Sequence, residues 1–166
     1  MKPYEYFYVE EKVFYYLFES DYGIVYELKF KPSDYLFGVG NEEISNKVYE
    51  FVIGILENPT IGKIPSDVRI GDTVAVIFND FFKRNNDNVA IYICDSSDLK
   101  QEVRMKKFQQ WYYKYQDSTL IKMDEVLIDT KNNRFPISII AKRTNPYLIE
   151  IFTAFATISD QMNEEK

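Results

Sequence analysis

The chain has 166 residues, enough for one domain with a sizeable core, and its 46% hydrophobic and 28% charged residues fit a globular protein. A net charge of −6 removes any global attraction to phosphate polymers, so a nucleic-acid contact would need a local basic patch. The absence of histidine and the single cysteine, Cys94, exclude Ser-His-Asp and Cys-His nucleophiles, histidine-ligated zinc, thiolate clusters and an intrachain disulfide. Carboxylates, Lys, Arg, Tyr, Ser and a hard cation such as magnesium are what remains for catalysis. No specific catalytic motif is present, and the balance leans away from an enzyme. The 14 tyrosines and 13 phenylalanines suit half-exposed sheet faces and contact surfaces, which makes a homo-oligomer a fair expectation. No apolar run is long enough to span a bilayer and no leader is visible, so a cytoplasmic protein with no membrane contact is expected.

The N-terminal third reads as strands. Residues 4–9 and 13–18 are aromatic and β-branched runs, parted by the charged residues 10–12. The turn Ser20-Asp21-Tyr22-Gly23 gives Gly23 the left-handed position. Residues 24–30 then alternate, with Ile24, Tyr26, Leu28 and Phe30 on one face and Val25, Glu27 and Lys29 on the other. Residues 48–56 form a fourth strand, with Gly54 as the expected bulge.

Ser66-Asp67 opens a helix whose Ile70, Val74, Ile77, Phe78 and Phe81 recur at the spacing of one buried face. Asp67 is the expected N-cap, and Lys83 and Arg84 before Asn85 suit its end. Asp67, Arg69, Asp72 and Thr73 make a polar cluster at the helix start, which capping and an ion pair explain without a ligand. Residues 89–94 read as a central strand. Residues 120–128 and 135–140 form two strands around the turn at 129–133, and Pro136 argues for an edge or a late start in the second. Asn145-Pro146 opens a last helix with a Leu148, Phe152, Phe155 stripe. The expectation is a single α+β domain over residues 1–166 with a frayed tail at 163–166. It is mainly one antiparallel sheet with three helices on a face, in the order ββββαβαββα.

Between residues 98 and 115 lies the most charge-patterned segment. Asp98 and Gln101 suggest a capping box. Met105, Phe108, Tyr112 and Tyr115 share the seam that faces the sheet. Beside them Lys100, Arg104, Lys107, Trp111 and Lys114 form a second stripe at spacings of four, three, four and three. A cationic row with the only tryptophan is suited to phosphates and a stacked base, or to an acidic protein surface. The plainer reading is a solvated helix border with stems laid over apolar surface. Asp95 and Asp98, between a buried strand and this helix, are the best candidates for catalysis with magnesium, with Arg104 and Lys107 to neutralise a phosphoryl group. The plainer reading is that Asp98 caps the helix and Asp95 makes the turn.

The segments PYEYFY (3–8), DYGIVYELKF (21–30), DVRIGDTVAVIFNDFF (67–82), YICDSSDLKQEVRMKKFQQWY (92–112) and NPYLIEIFTAF (145–155) follow one another along nearly the whole chain. Their order resembles a Bacteroidetes family, domain of unknown function 6169. Asp67, Arg69 and Ile70, with Arg104, Phe108 and Trp111, carry the likeness most specifically. The resemblance implies a cytoplasmic bacterial protein and brings no activity, cofactor or site with it. The functional expectation is a binding module that meets an anionic protein or nucleic acid through the basic-aromatic helix. A magnesium-dependent enzyme of phosphoesters using Asp95 and Asp98, or a homo-oligomeric structural subunit, stands as the alternative.

Overall fold

A computed structural model describes residues 2–33, 37, 42–94, 100–115 and 118–164. Its elements are β1 (Tyr6–Glu10), β2 (Phe14–Glu19), β3 (Val25–Pro32), α1 (Glu42–Ser45), β4 (Val48–Glu57) and α2 (Val68–Arg84), followed by β5 (Val89–Ile93), α3 (Gln101–Tyr115), β6 (Leu120–Ile128), β7 (Arg134–Lys142) and α4 (Leu148–Glu164). The strands build one seven-stranded sheet in the order β1-β2-β3-β4-β5-β7-β6. Every neighbouring pair is antiparallel except β4 and β5, which run parallel with α2 as their crossover.

Aromatic side chains face α2 along the N-terminal meander. Tyr16, Phe18, Leu28, Phe30 and Phe51 are buried against Ile70, Val74, Ile77, Phe78, Phe81 and Phe82 of α2 and Met105 and Phe108 of α3. The tightest ring contact is Phe30 stacked on Phe81, with centroids 3.8 Å apart and planes within 5°. A second core lies on the opposite face, where Val89, Ile91, Ile137, Ile139 and Ala141 meet Ile44 of α1 and Ile151 and Phe155 of α4. Helices therefore cover both faces of the sheet, not one. Strands β5 and β7 are sandwiched, which is why they read as unbroken apolar runs.

Several finer expectations change. The fourth helix, α1, is a single turn of four residues, too short to show a helical period. Gly54 pairs regularly with Glu27, and the irregularity falls one step on: Tyr26 faces Ile55 while Val25 faces Glu57, leaving Leu56 as the extra residue. β7 lies inside the sheet and β6 at its edge, against the inference from Pro136. Pro136 is tolerated there because β5 ends at Ile93: the Pro136 carbonyl accepts from Cys94 N–H at 3.2 Å, so its ring points past the end of β5, where no ladder donor is needed. Gly23 does adopt positive φ, at 72°, in its turn. Helix α4 begins just after Asn145, whose side chain accepts from Tyr147 N–H at 2.9 Å, and its buried stripe includes Ile151 beside Phe155. The tail expected to fray overlaps the end of α4, and residues 165–166 lie outside the described residues. Among the described residues no helix is long and apolar enough to cross a membrane.

Removing the Phe81 ring should cost about 3–5 kcal/mol in a chemical-denaturation measurement of Phe81→Ala. Phe7→Ala, at a side chain 75% exposed on β1, should change stability by no more than about 0.5 kcal/mol.

Candidate functional site

Helix α3 rests on the sheet through Met105 and Phe108, both buried, with Trp111, Tyr112 and Tyr115 half-buried along the same side. Its first helical hydrogen bond runs from Arg104 N–H to the Lys100 carbonyl at 3.0 Å. Asp98 lies outside the described residues, so the acidic half of the capping box does too. The Gln101 amide nitrogen donates to the Arg134 carbonyl on β7 at 3.5 Å.

The five stripe residues divide by what they touch. Lys100, Lys107 and Lys114 are exposed, whereas Arg104 and Trp111 are half-buried. Trp111 packs on α2, where a Cβ at Gly71 would stand 2.9 Å from the indole nitrogen. Gly71 is thus the point that lets α2 and α3 approach. The Lys107 ammonium lies 5.1 Å from the Trp111 ring centroid. Lys114 donates to the Tyr115 hydroxyl at 2.6 Å and sits 3.7 Å from the Asp72 carboxylate, to which the Tyr115 hydroxyl also donates. That hydroxyl, with Lys114 beside it, holds the Asp72 carboxyl below its ordinary 3.8. Arg104 places its charge near Tyr92 and the buried Cys94, whose thiol burial pushes up while Tyr92 and Arg104 pull it back. Part of the stripe therefore ties α3 to α2 and β5, while Lys107 and its neighbour Lys106 are exposed.

Between α2 and α3 runs an apolar cleft of about 50 Å³, walled by Phe78, Phe108, Trp111, Tyr112 and Tyr115. A benzene-sized cavity is roughly 150 Å³, so this cleft takes an aliphatic tip and no ring. At its sheet end is a polar group that the strand patterning of β6 already contained. Lys122, its side chain only 3% exposed, pairs with Asp124. Its ammonium lies 5.5 Å from the Tyr112 ring centroid and 5.9 Å from that of Tyr113. Ser138, opposite Asp124 in the β6–β7 ladder and fully buried, donates to the same carboxylate at 2.5 Å. The signal was the hairpin itself: Lys122 and Asp124 alternate onto the face that Ser138 and Ile140 share. A hydroxyl this deep serves as a hydrogen-bonding post, not as a nucleophile.

The cluster at the start of α2 closes on itself. Asp67 caps the helix, accepting from Arg69 N–H at 2.9 Å and from the Tyr4 hydroxyl at 2.7 Å. Arg69 reaches Asp21 at 2.5 Å and lies over the Tyr4 ring at 3.8 Å, while Thr73 accepts from Tyr4 N–H at 2.9 Å. These residues fasten the N-terminal segment to α2. Asp72 is the exception within the group, since it faces α3. The magnesium candidates Asp95 and Asp98 lie outside the described residues. Among the described residues no group of three or more Cys, Asp or Glu could hold a metal ion.

Gly71→Val should cost about 1–3 kcal/mol through overpacking against the indole. In a Trp111→Ala background the same change should cost measurably less, a coupling read from a double-mutant cycle. Because the Asp72 carboxyl is depressed in the folded state, its contribution is present above pH 3.8 and lost as pH falls through the lower folded value. Asp72→Asn should therefore flatten the acid limb of the stability profile, measured by urea unfolding at successive pH values.

The model of the family of unknown function DUF6169 matches residues 66–157, more than half of the chain and all of α2, β5, α3, β6 and β7. No curated protein and no solved structure matches the chain. The match takes in the capped start of α2, Gly71 and the helix that lies over it, and the chain belongs to the DUF6169 family of unknown function.

Proposed function

We propose that the protein is a non-catalytic binding module that engages an anionic partner along α3. The observation that carries this reading is the exposure of Lys106 and Lys107 on α3, with Lys107 beside Trp111 of the cleft wall, in a chain of net charge −6. Cations on one helix of an acidic protein create a local positive field that steers an acidic protein segment or a nucleic acid to that helix. The cleft walls supply apolar surface next to those charges. A cytoplasmic setting accords with the single cysteine, Cys94, being free and buried.

A second reading, a homo-oligomeric subunit, draws on β1. This edge strand carries Phe7 at 75% and Val9 at 40% exposure, and no Lys or Pro interrupts it. Light scattering over a concentration series tests that reading; a persistent monomer rejects it.

For the leading reading, Lys106→Glu combined with Lys107→Glu should abolish binding of an acidic peptide or an oligonucleotide and leave the Tm nearly unchanged. Arg104 is left intact because it is half-buried. Binding to the oligonucleotide should fall steeply with salt as counterions are released, whereas an acidic peptide should show a shallower decline. Failure of the unaltered protein to bind either probe rejects the proposal.

A further inference from the structure

The cleft between α2 and α3 is small, apolar and bordered by ammonium groups. Val74, Ala75 and Phe78 of α2 form one wall, the α3 rings form the other, and Leu120 and Ile140 lie beside them from the sheet. All of these belong to the described residues. At about 50 Å³ the cleft takes the tip of one aliphatic side chain, so a nucleobase has no place in it. The indole is already engaged as well. Its nitrogen lies 2.9 Å from where a Cβ would stand on Gly71, and the Lys107 ammonium lies 5.1 Å from its ring centroid. That leaves a poor platform for a stacked base.

Charge around the cleft is one-sided among the described residues. Three wall rings each have an ammonium nearby: Lys107 at Trp111, Lys122 at 5.5 Å from Tyr112 and Lys114 at 4.6 Å from Tyr115. The carboxylates of the surrounding elements are engaged. Asp72 accepts from Tyr115 beside Lys114, Asp124 pairs with Lys122 and accepts from Ser138, and Asp80 pairs with Arg84. Glu102, the one acidic residue of α3, lies 4.0 Å from Arg134, and Glu125 alternates onto the opposite face of the sheet. Two more cations stand close in the fold: Lys83 one turn after Asn79, and Lys142 opposite Leu120 with its ammonium on Asn86. Asp117, after α3, lies outside the described residues. Lys106 and Lys107 are exposed, and no carboxylate among the described residues pairs with either.

We propose that this cleft anchors an acidic protein segment, one aliphatic side chain of which enters between α2 and α3 while its carboxylates meet Lys107 at the rim. Lys106 adds to the field that draws the segment in. The inference rests on the binding reading of α3 and narrows it, from any anionic partner to a peptide with an aliphatic anchor. A buried anchor in a pocket, rimmed by charge, is the arrangement that gives a peptide contact both affinity and selectivity. A fatty acyl chain fits less well, because a cleft of this size leaves its remaining methylenes in water.

The test uses the full chain and fluorescent peptides of equal charge, read by anisotropy: glutamates around a central leucine, alanine or tryptophan. A thymidine oligonucleotide of the same net charge serves as the other class. The leucine peptide should bind about tenfold or more tighter than the alanine peptide, and the tryptophan peptide and the oligonucleotide no tighter than the alanine peptide. Ala75→Leu, which fills the cleft from the half-buried α2 wall, should bring the leucine and alanine peptides within about twofold of each other. Should that variant fail to fold, the peptide series on the unaltered protein decides. Equal binding of the leucine and alanine peptides, or tighter binding of the oligonucleotide than of the leucine peptide, overturns the anchor and leaves the cationic surface of α3 standing. Binding of no probe at all rejects the α3 reading itself and the anchor with it.

Discussion

The short parallel contact between β4 and β5 is the joint on which the rest of the molecule depends. Three residue pairs, Val48–Val89, Tyr49–Ala90 and Glu50–Ile91, unite the N-terminal meander with the C-terminal hairpin into one sheet. Where the ladder stops, rings take over. Phe51 lies 5.8 Å from Tyr92 and 4.7 Å from Phe78, and Tyr92 lies 4.2 Å from Phe108. These side chains fill the helix-facing side of the divergence and bind both strands to α2 and α3. Apolar burial thus replaces backbone pairing at the junction. Among the described residues the gap-side peptide groups of Ile53 and Ile55 have no ladder partner, and this stretch of β4 runs from half-buried to exposed.

α3 shows how one helix divides its surface between folding and contact. Its inward residues close the core, Trp111 rests on Gly71, and Lys114 is drawn to Asp72 through Tyr115. A row of cations at helical spacing is therefore not a row of equivalent cations. Those that meet a carboxylate across the helix–helix contact stabilise the docking of α3. Those that point away shape what the surface attracts.

Much of the fold is legible in the sequence. Ile70, Val74, Ile77, Phe78 and Phe81 marked the buried face of α2 because a 17-residue helix repeats its period often enough to be read. Asp67 as its cap and Asn85 as its end followed from local hydrogen-bonding chemistry. The alternation of β3 named its inner face correctly, since an antiparallel strand with one wet side writes its register into the sequence. What stayed hidden depends on contacts distant in sequence. Sandwiching of β5 and β7 between helices, the interior place of β7 despite Pro136, and the one-turn α1 all arise from tertiary arrangement. The same holds for the candidate sites. The stripe on α3 was visible as spacing, but its partners Asp72, Gly71 and Tyr92 come from other elements. The Lys122–Asp124–Ser138 group needed the β6–β7 pairing, and the parting of β4 from β5 needed the length over which the two strands run side by side.

The divergence of β4 from β5 is testable without a ligand, by residue-resolved amide hydrogen exchange on the intact protein. The amides of Ile53 and Ile55, which face the gap, should exchange rapidly, while those of Val52 and Gly54, which face β3, remain protected. Equal protection of all four amides would mean that β4 is paired on both sides, and would contradict this account of the sheet.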